Sequence, residues 1–140
     1  MTRENARLVH ESLSAMERGD IDAIVAISDP DVEFVNPPTA VEPGTRHGHD
    51  GLRIGLGGML EAFAGLRIEA QRIVDLGDRV VVTGVWSGRG RGSGAEFDPQ
   101  PFAFLVTLRA GRMIRYEWFA DVDEAFTAAG VDEGATPEGR

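Results

Sequence analysis

The 140-residue chain has no cysteine. That excludes a disulfide frame, a thiolate nucleophile and any cysteine-based metal site. Long apolar runs are missing too, and no segment approaches the roughly 20 apolar residues a membrane-spanning helix needs. Residues 1–18 are polar and charged, without the apolar stretch of a signal peptide, so an intracellular, cytoplasmic protein is expected. Basic residues are outnumbered, 14 Lys and Arg against 23 Asp and Glu, for a formal net charge of −9. Nucleic acid and anionic membranes both reward clustered basic charge, so neither is an expected partner. The chain has one tyrosine and two tryptophans, and their placement turns out to matter.

What is present is ordinary for one globular domain: 42% hydrophobic and 26% charged residues. Residues 5–18 carry Leu8, Val9, Leu13 and Met16 on one helical stripe. Gly19 ends that helix and Asp20 caps a second, residues 21–28, with Ile21, Ile24, Val25 and Ile27 turned inward. A short strand follows at 32–36, alternating Val32, Phe34 and Asn36 against Glu33 and Val35. Residues 37–48 read as a loop, from Pro37, Pro38, Pro43 and Gly44. A third helix carries Leu52, Leu56, Leu60 and Phe63, and also Gly55, Gly57 and Gly58. Each of those glycines costs about 0.8–1 kcal/mol relative to alanine, so packing must hold this helix, or it serves as a pliable lid.

The strongest pattern spans residues 66–121. Residues 66–76 form a long strand, with a bulge expected near Arg72–Ile73, where the alternation slips. Then Val80, Val82, Gly84 and Trp86 alternate, as do Phe102, Phe104, Val106 and Leu108, and Ile114, Tyr116, Trp118 and Ala120. Period-two alternation of this kind marks a sheet with one buried face. Residues 88–94 read as a flexible strand-to-strand loop, because no helix follows to make a phosphate cradle. Asp121 heads a last helix, residues 122–129, which Gly130 ends. Residues 1–131 make one domain and 132–140 a disordered tail. The order of elements predicts an α+β fold with helices on one face of an antiparallel sheet.

Particular residues sharpen this. Gly19-Asp20-Ile21-Asp22-Ala23-Ile24, the strand at 32–37 and Gly48-His49-Asp50-Gly51-Leu52-Arg53 are three of them. Arg91-Gly92-Ser93-Gly94, Gly111-Arg112, Asp121-Val122-Asp123-Glu124-Ala125-Phe126 and Ala129-Gly130-Val131 complete the set. Together they resemble the nuclear transport factor 2-like superfamily, and within it the SnoaL-like group. The resemblance implies a cone-shaped sheet wrapped around three helices (a cystatin-like α+β barrel), a pocket inside the cone, and a homodimer through the outer sheet face. That superfamily holds isomerases, cyclases, epoxide hydrolases, dehydratases and members without known chemistry, so fold alone does not choose among them.

Asn36 stands where ketosteroid isomerases of the superfamily carry an aspartate base, and an amide cannot take a proton from carbon. Their oxyanion tyrosine falls near Ser12, and their protonated aspartate near Ala103 or Phe104. None of the three roles is filled. In limonene-type epoxide hydrolases Phe34 and Asn36 align with water-holding residues, but the catalytic triad maps onto Gly84, Trp86 and Trp118. Asn36 is thus a candidate ligand partner, or an amide bonded to the loop ahead of Pro37.

Asp121 is a candidate acid/base by resemblance to SnoaL-like cyclases. Yet Asp121 and Glu124 also fit a capping box, and Asp121 is out of phase with the inward set; capping is the favoured reading. His49, beside Asp50, is the second catalytic candidate. His47 and His49 lack a third ligand at metal spacing, so no metal is expected, nor any other cofactor. Phe34, Trp86, Phe104, Tyr116 and Trp118, with Asn36, are the candidate substrate-binding set, an apolar wall with few polar handles. The expected occupant is a small, apolar, polycyclic or polyketide-like metabolite. Two functions remain open: a cofactor-free cyclase, isomerase or dehydratase, and a non-catalytic binding module. On the opposite face Arg115, Glu117, Thr107 and Arg109 read as solvated, with Val81, Val85, Leu105 and Phe119 exposed enough to want a partner copy.

Overall fold

The computed structural model describes residues 3–38, 43–119 and 121–130. Helices α1 (Arg3–Arg18) and α2 (Ile21–Ala26) lead into strands β1 (Ser28–Asn36) and β2 (Gly44–His47). Helix α3 (Gly48–Ala62) follows, then β3 (Phe63–Asp75), β4 (Arg79–Gly90), β5 (Glu96–Arg109), β6 (Arg112–Phe119) and α4 (Val122–Ala129). The strands form one open six-stranded sheet in the order β2-β1-β6-β5-β4-β3.

The α+β architecture agrees with the sequence; the strand directions do so in part. Four of the neighbouring pairs are antiparallel, but β1 runs parallel to β6. The expected wholly antiparallel sheet is therefore mixed, because the chain leaves β1 through α3 and the β3–β5 meander before returning beside it. Strand β2, pairing Phe34 with Arg46 and Asn36 with Gly44, lies inside what read as a loop. Four residues with no apolar alternation give no period to detect. Likewise β4 runs through Gly90 and β5 begins at Glu96, so much of the glycine-rich stretch is hairpin rather than loose loop. The last inward residue, Ala120, and the expected tail at 132–140 lie outside the described residues.

Local chemistry sets the helix ends. Gly19 takes φ 69°, with its amide on the Met16 carbonyl at 3.1 Å, and the Asp20 amide reaches the Ala15 carbonyl at 2.8 Å. Asp20 then caps α2, its carboxylate accepting from the Ala23 amide at 3.1 Å. The buried stripe of α1, Leu8, Val9, Leu13 and Met16, faces the sheet as expected.

Helices α1, α2 and α3 lie on the concave face, against Val80, Val82, Phe104, Val106 and Tyr116. Two glycines of α3 have a packing reason. A Cβ on Gly55 would stand 2.5 Å from the Phe34 ring, and one on Gly51 would stand 3.0 Å from Arg46. Close approach to β1, rather than a lid, explains Gly55, and approach to β2 explains Gly51; Gly58 meets nothing. The slip in β3 falls between Ala70 and Arg72, next to the expected bulge.

The convex face differs from expectation. Helix α4 folds back onto it, so Val81 and Leu105 are buried with Val74, Ala103, Ala125 and Phe126. Val85 and Phe119 are half-buried. On the same face Arg115 bonds Glu33 at 3.3 Å and approaches Glu117 at 3.5 Å, with all three side chains partly exposed.

Candidate functional site

Rows of paired residues cross the concave face. Val80 pairs with Val106, which pairs with Tyr116; Val82 pairs with Phe104, which pairs with Trp118. One row further on, Gly84 pairs with Phe102, and beyond that Trp86 pairs with Ile68 on β3. The first row and Val82 and Phe104 of the second lie in the core with the helices, while Trp118 reaches the cleft. The last ones frame a cleft of about 210 Å³.

Glycine at position 84 lets its neighbours close in beside the cleft. A Cβ there would fall 2.0 Å from the Glu69 carbonyl oxygen and 2.9 Å from the Phe102 ring. With only hydrogen at this point, the β3 backbone and the Phe102 ring can both pack against β4 there. The cleft is then walled by Trp86, Phe102 and Trp118, with Leu66 and Ile68 from β3 and Pro37 beyond β1. Pro101 and Phe119 finish the rim. No titratable side chain lines it among the described residues.

The candidate residues separate into three groups. Trp86 and Trp118 are in the cleft wall, as expected. Phe34, Phe104 and Tyr116 are not; all three are core, at 2%, 0% and 0% exposure. Phe104 backs the wall, its ring 4.8 Å from that of Trp118. The Tyr116 hydroxyl is used internally, 3.1 Å from Ser28 Oγ and 2.7 Å from Met113 Sδ. Burial pushes its pKa well above the ordinary tyrosine value. It is not a handle for ligand, because α2 and the start of β1 cover it.

The two catalytic candidates and Asn36 form the third group. Asp121 is exposed and accepts from the Asp123 amide at 2.8 Å as the N-cap of α4. His49, half-buried in the first turn of α3, holds the Ser28 backbone carbonyl through Nε2 at 3.0 Å. With a carbonyl as partner, Nε2 carries the proton. Asn36 is half-buried at the end of β1 and is engaged rather than free. The adjoining Pro37, not Asn36, lines the cleft. Trp118 Nε1 is buried in the wall without a hydrogen-bond partner among the described residues.

Reading alternation alone missed Leu66, Ile68, Pro37, Pro101 and Phe119 as lining residues. Leu66 and Ile68 share a face of β3, and that signal was in the sequence. Pro37, Pro101 and Phe119 join only because strand ends meet at one rim. Among the described residues no group of three His, Asp or Glu side chains converges on a metal position. No helix there is long and apolar enough to cross a membrane.

A curved sheet with three helices on its concave face and a cleft left at one end is the fold of the nuclear transport factor 2-like, or cystatin-fold, proteins. Within that class the chain belongs to the SnoaL-like family: the profile of the SnoaL-like domain matches residues 9–116. A nuclear transport factor 2-like protein of unknown function from Burkholderia pseudomallei K96243 is 25% identical, over 90% of this chain and 97% of that one, with TM-score 0.75. TerC, co-crystallised with polyporic acid, is 28% identical over 91% and 95%, with TM-score 0.73. A candidate SnoaL-like polyketide cyclase from Jannaschia sp. CCS1 is 21% identical over 89% and 90%, with TM-score 0.74, a likeness of fold alone. Comparison with curated proteins finds no match.

Proposed function

We propose that this SnoaL-like protein binds a flat, largely apolar small molecule in the cleft between Trp86 and Trp118, and that binding rather than catalysis is its role. The carrying observation is the cleft itself, with two indoles and Phe102 in its wall and no titratable lining group among the described residues. Acid–base chemistry needs a group within hydrogen-bond reach of the reacting atom. Asp121 is occupied in capping α4 and His49 in holding Ser28. A volume of about 210 Å³ is below the roughly 300–1,000 Å³ of sites that enclose drug-sized ligands. It suits one or two fused rings, or one end of something longer. The co-crystal of TerC with polyporic acid supports a ring-bearing ligand for a relative of this fold. A homodimer remains part of this reading, restricted to the part of the convex face that α4 leaves uncovered.

The test uses the fact that both tryptophans of the chain stand in the cleft wall. Intrinsic fluorescence therefore reports on the cleft almost alone. Titrating a panel of flat aromatic compounds, polyporic acid included, is expected to quench it saturably and raise the melting temperature. At a hundredfold excess over Kd the stabilisation is about 2.7 kcal/mol. Trp86→Ala and Trp118→Ala should each weaken binding at least about tenfold, the equivalent of one lost stacking contact. If no member of the panel moves either signal, the binding role is wrong.

A further inference from the structure

We infer that Leu66 is a specificity-determining partition that sets the length of ligand the cleft accepts, an inference that rests on the binding role above. Leu66 lines the apolar cleft and also a second cavity of about 520 Å³ on its other side. That second cavity lies between the end of α1, the end of α3 and the start of β3. Ile21, Leu60 and Phe63 give it apolar surface, and Glu17, Glu61 and Arg91 give it charge. Besides Leu66, a ring pair links the two linings: Phe63 on the far side meets Trp86 on the cleft side edge-on, with centroids 5.1 Å apart.

The backbone is built to put Leu66 there. Pairing of β3 with β4 slips between Ala64 and Arg67, and Gly65 takes φ 61°. A glycine in the left-handed region followed by an extended residue is a β-bulge that re-aims the next side chain. Here that side chain is Leu66, turned inward and left only 8% exposed. The neighbouring strand segment is pinned as well. β3 is an edge strand, and the Glu17 carboxylate of α1 accepts the Ile68 amide at 2.8 Å. A bulge plus a clamp holds one aliphatic side chain between an apolar space and a mixed one. The ligand class that would profit from removing it has a flat apolar body and an extended tail.

The experiment compares 2-naphthol with its 6-hexyloxy derivative by isothermal titration calorimetry, on wild type, Leu66→Ala and Leu66→Val. Wild type should bind the short probe at least as tightly as the long one. In Leu66→Ala the affinity ratio should move about tenfold toward the long probe, as two or so tail methylenes gain burial. Leu66→Val should move it the same way by a smaller factor, and it keeps a strand-compatible side chain if the alanine variant does not fold. An unchanged ratio in the folded variants, with the short probe still bound, overturns the partition and leaves the binding role standing. Failure of wild type to bind either probe, together with a silent fluorescence panel, overturns both.

Discussion

The concave face has two ends made of the same kind of sequence. At one end Val80, Val106 and Tyr116 form a row that the helices cover, and Tyr116 is buried with its hydroxyl satisfied. At the other end Phe102 and Trp86 continue the same alternation on the same strands, yet they border open space. The difference is not hydrophobicity. At the sealed end, these side chains meet the buried stripes of the helices in one continuous core. At the open end, no helix residue among the described ones lines the space between the wide rings of Trp86, Phe102 and Trp118. A cleft is what is left when flat side chains line a curve without a plug.

Breaking the sealed end should cost the most. Phe104→Ala removes a fully buried ring beneath Trp118. It is expected to lower stability by about 3–5 kcal/mol in urea unfolding. Trp86→Ala, in the open wall and half-exposed, should cost only about 1–2 kcal/mol while removing ligand response. Equal costs for the two would erase the distinction between the ends.

Gly55→Ala places a methyl group within 2.5 Å of the Phe34 ring. Overpacking of this kind costs about 1–3 kcal/mol. If instead the added methyl stabilises α3 by its helix propensity, measured as a higher melting temperature, the close approach of α3 to β1 is wrong.

Tyr116→Phe removes the bond to Ser28 and should cost about 1 kcal/mol at neutral pH. It also removes a pH dependence. The folded pKa of Tyr116 is raised by burial, whereas in the unfolded chain it is near 10. Above that pH the unfolded state releases the proton and the folded state keeps it. The stability tied to the neutral phenol is whole below about pH 10 and is lost as pH rises further. The chain has one tyrosine and no lysine, so this alkaline loss should largely vanish in Tyr116→Phe. Urea midpoints at pH 8 and pH 10.5 would show it.

The smallest effect belongs to Asp121→Asn. Asparagine caps helices about as well as aspartate, so stability and ligand binding should both stay within a few tenths of a kcal/mol of wild type. A loss of binding would return Asp121 to the site.

Much of the architecture was legible because it rests on repeating chemistry. The α1 stripe, the Gly19–Asp20 junction, the slip in β3 and the α4 cap with Gly130 at φ 78° were all visible as patterns. Strand β2 was not, since its register depends on β1 and not on any period of its own. The convex face misled because alternation marks a side chain as facing away from the helices without saying that α4 will return to cover it. For the site, the same alternation put Phe34, Phe104, Tyr116 and the tryptophans on one face. It had no way to tell core from wall, because that depends on which helix residue, if any, lies opposite.

The residues alone determined an α+β fold of the SnoaL-like type with both indoles on the inner side of a curved sheet. Periodicity and turn chemistry are local and survive in one dimension. Only the tertiary structure decided that Tyr116 is sealed while Trp86 and Trp118 border a cleft, and that Leu66 stands between two cavities. Those outcomes depend on the volume left over when separate elements meet, and leftover volume is not a property of any one segment.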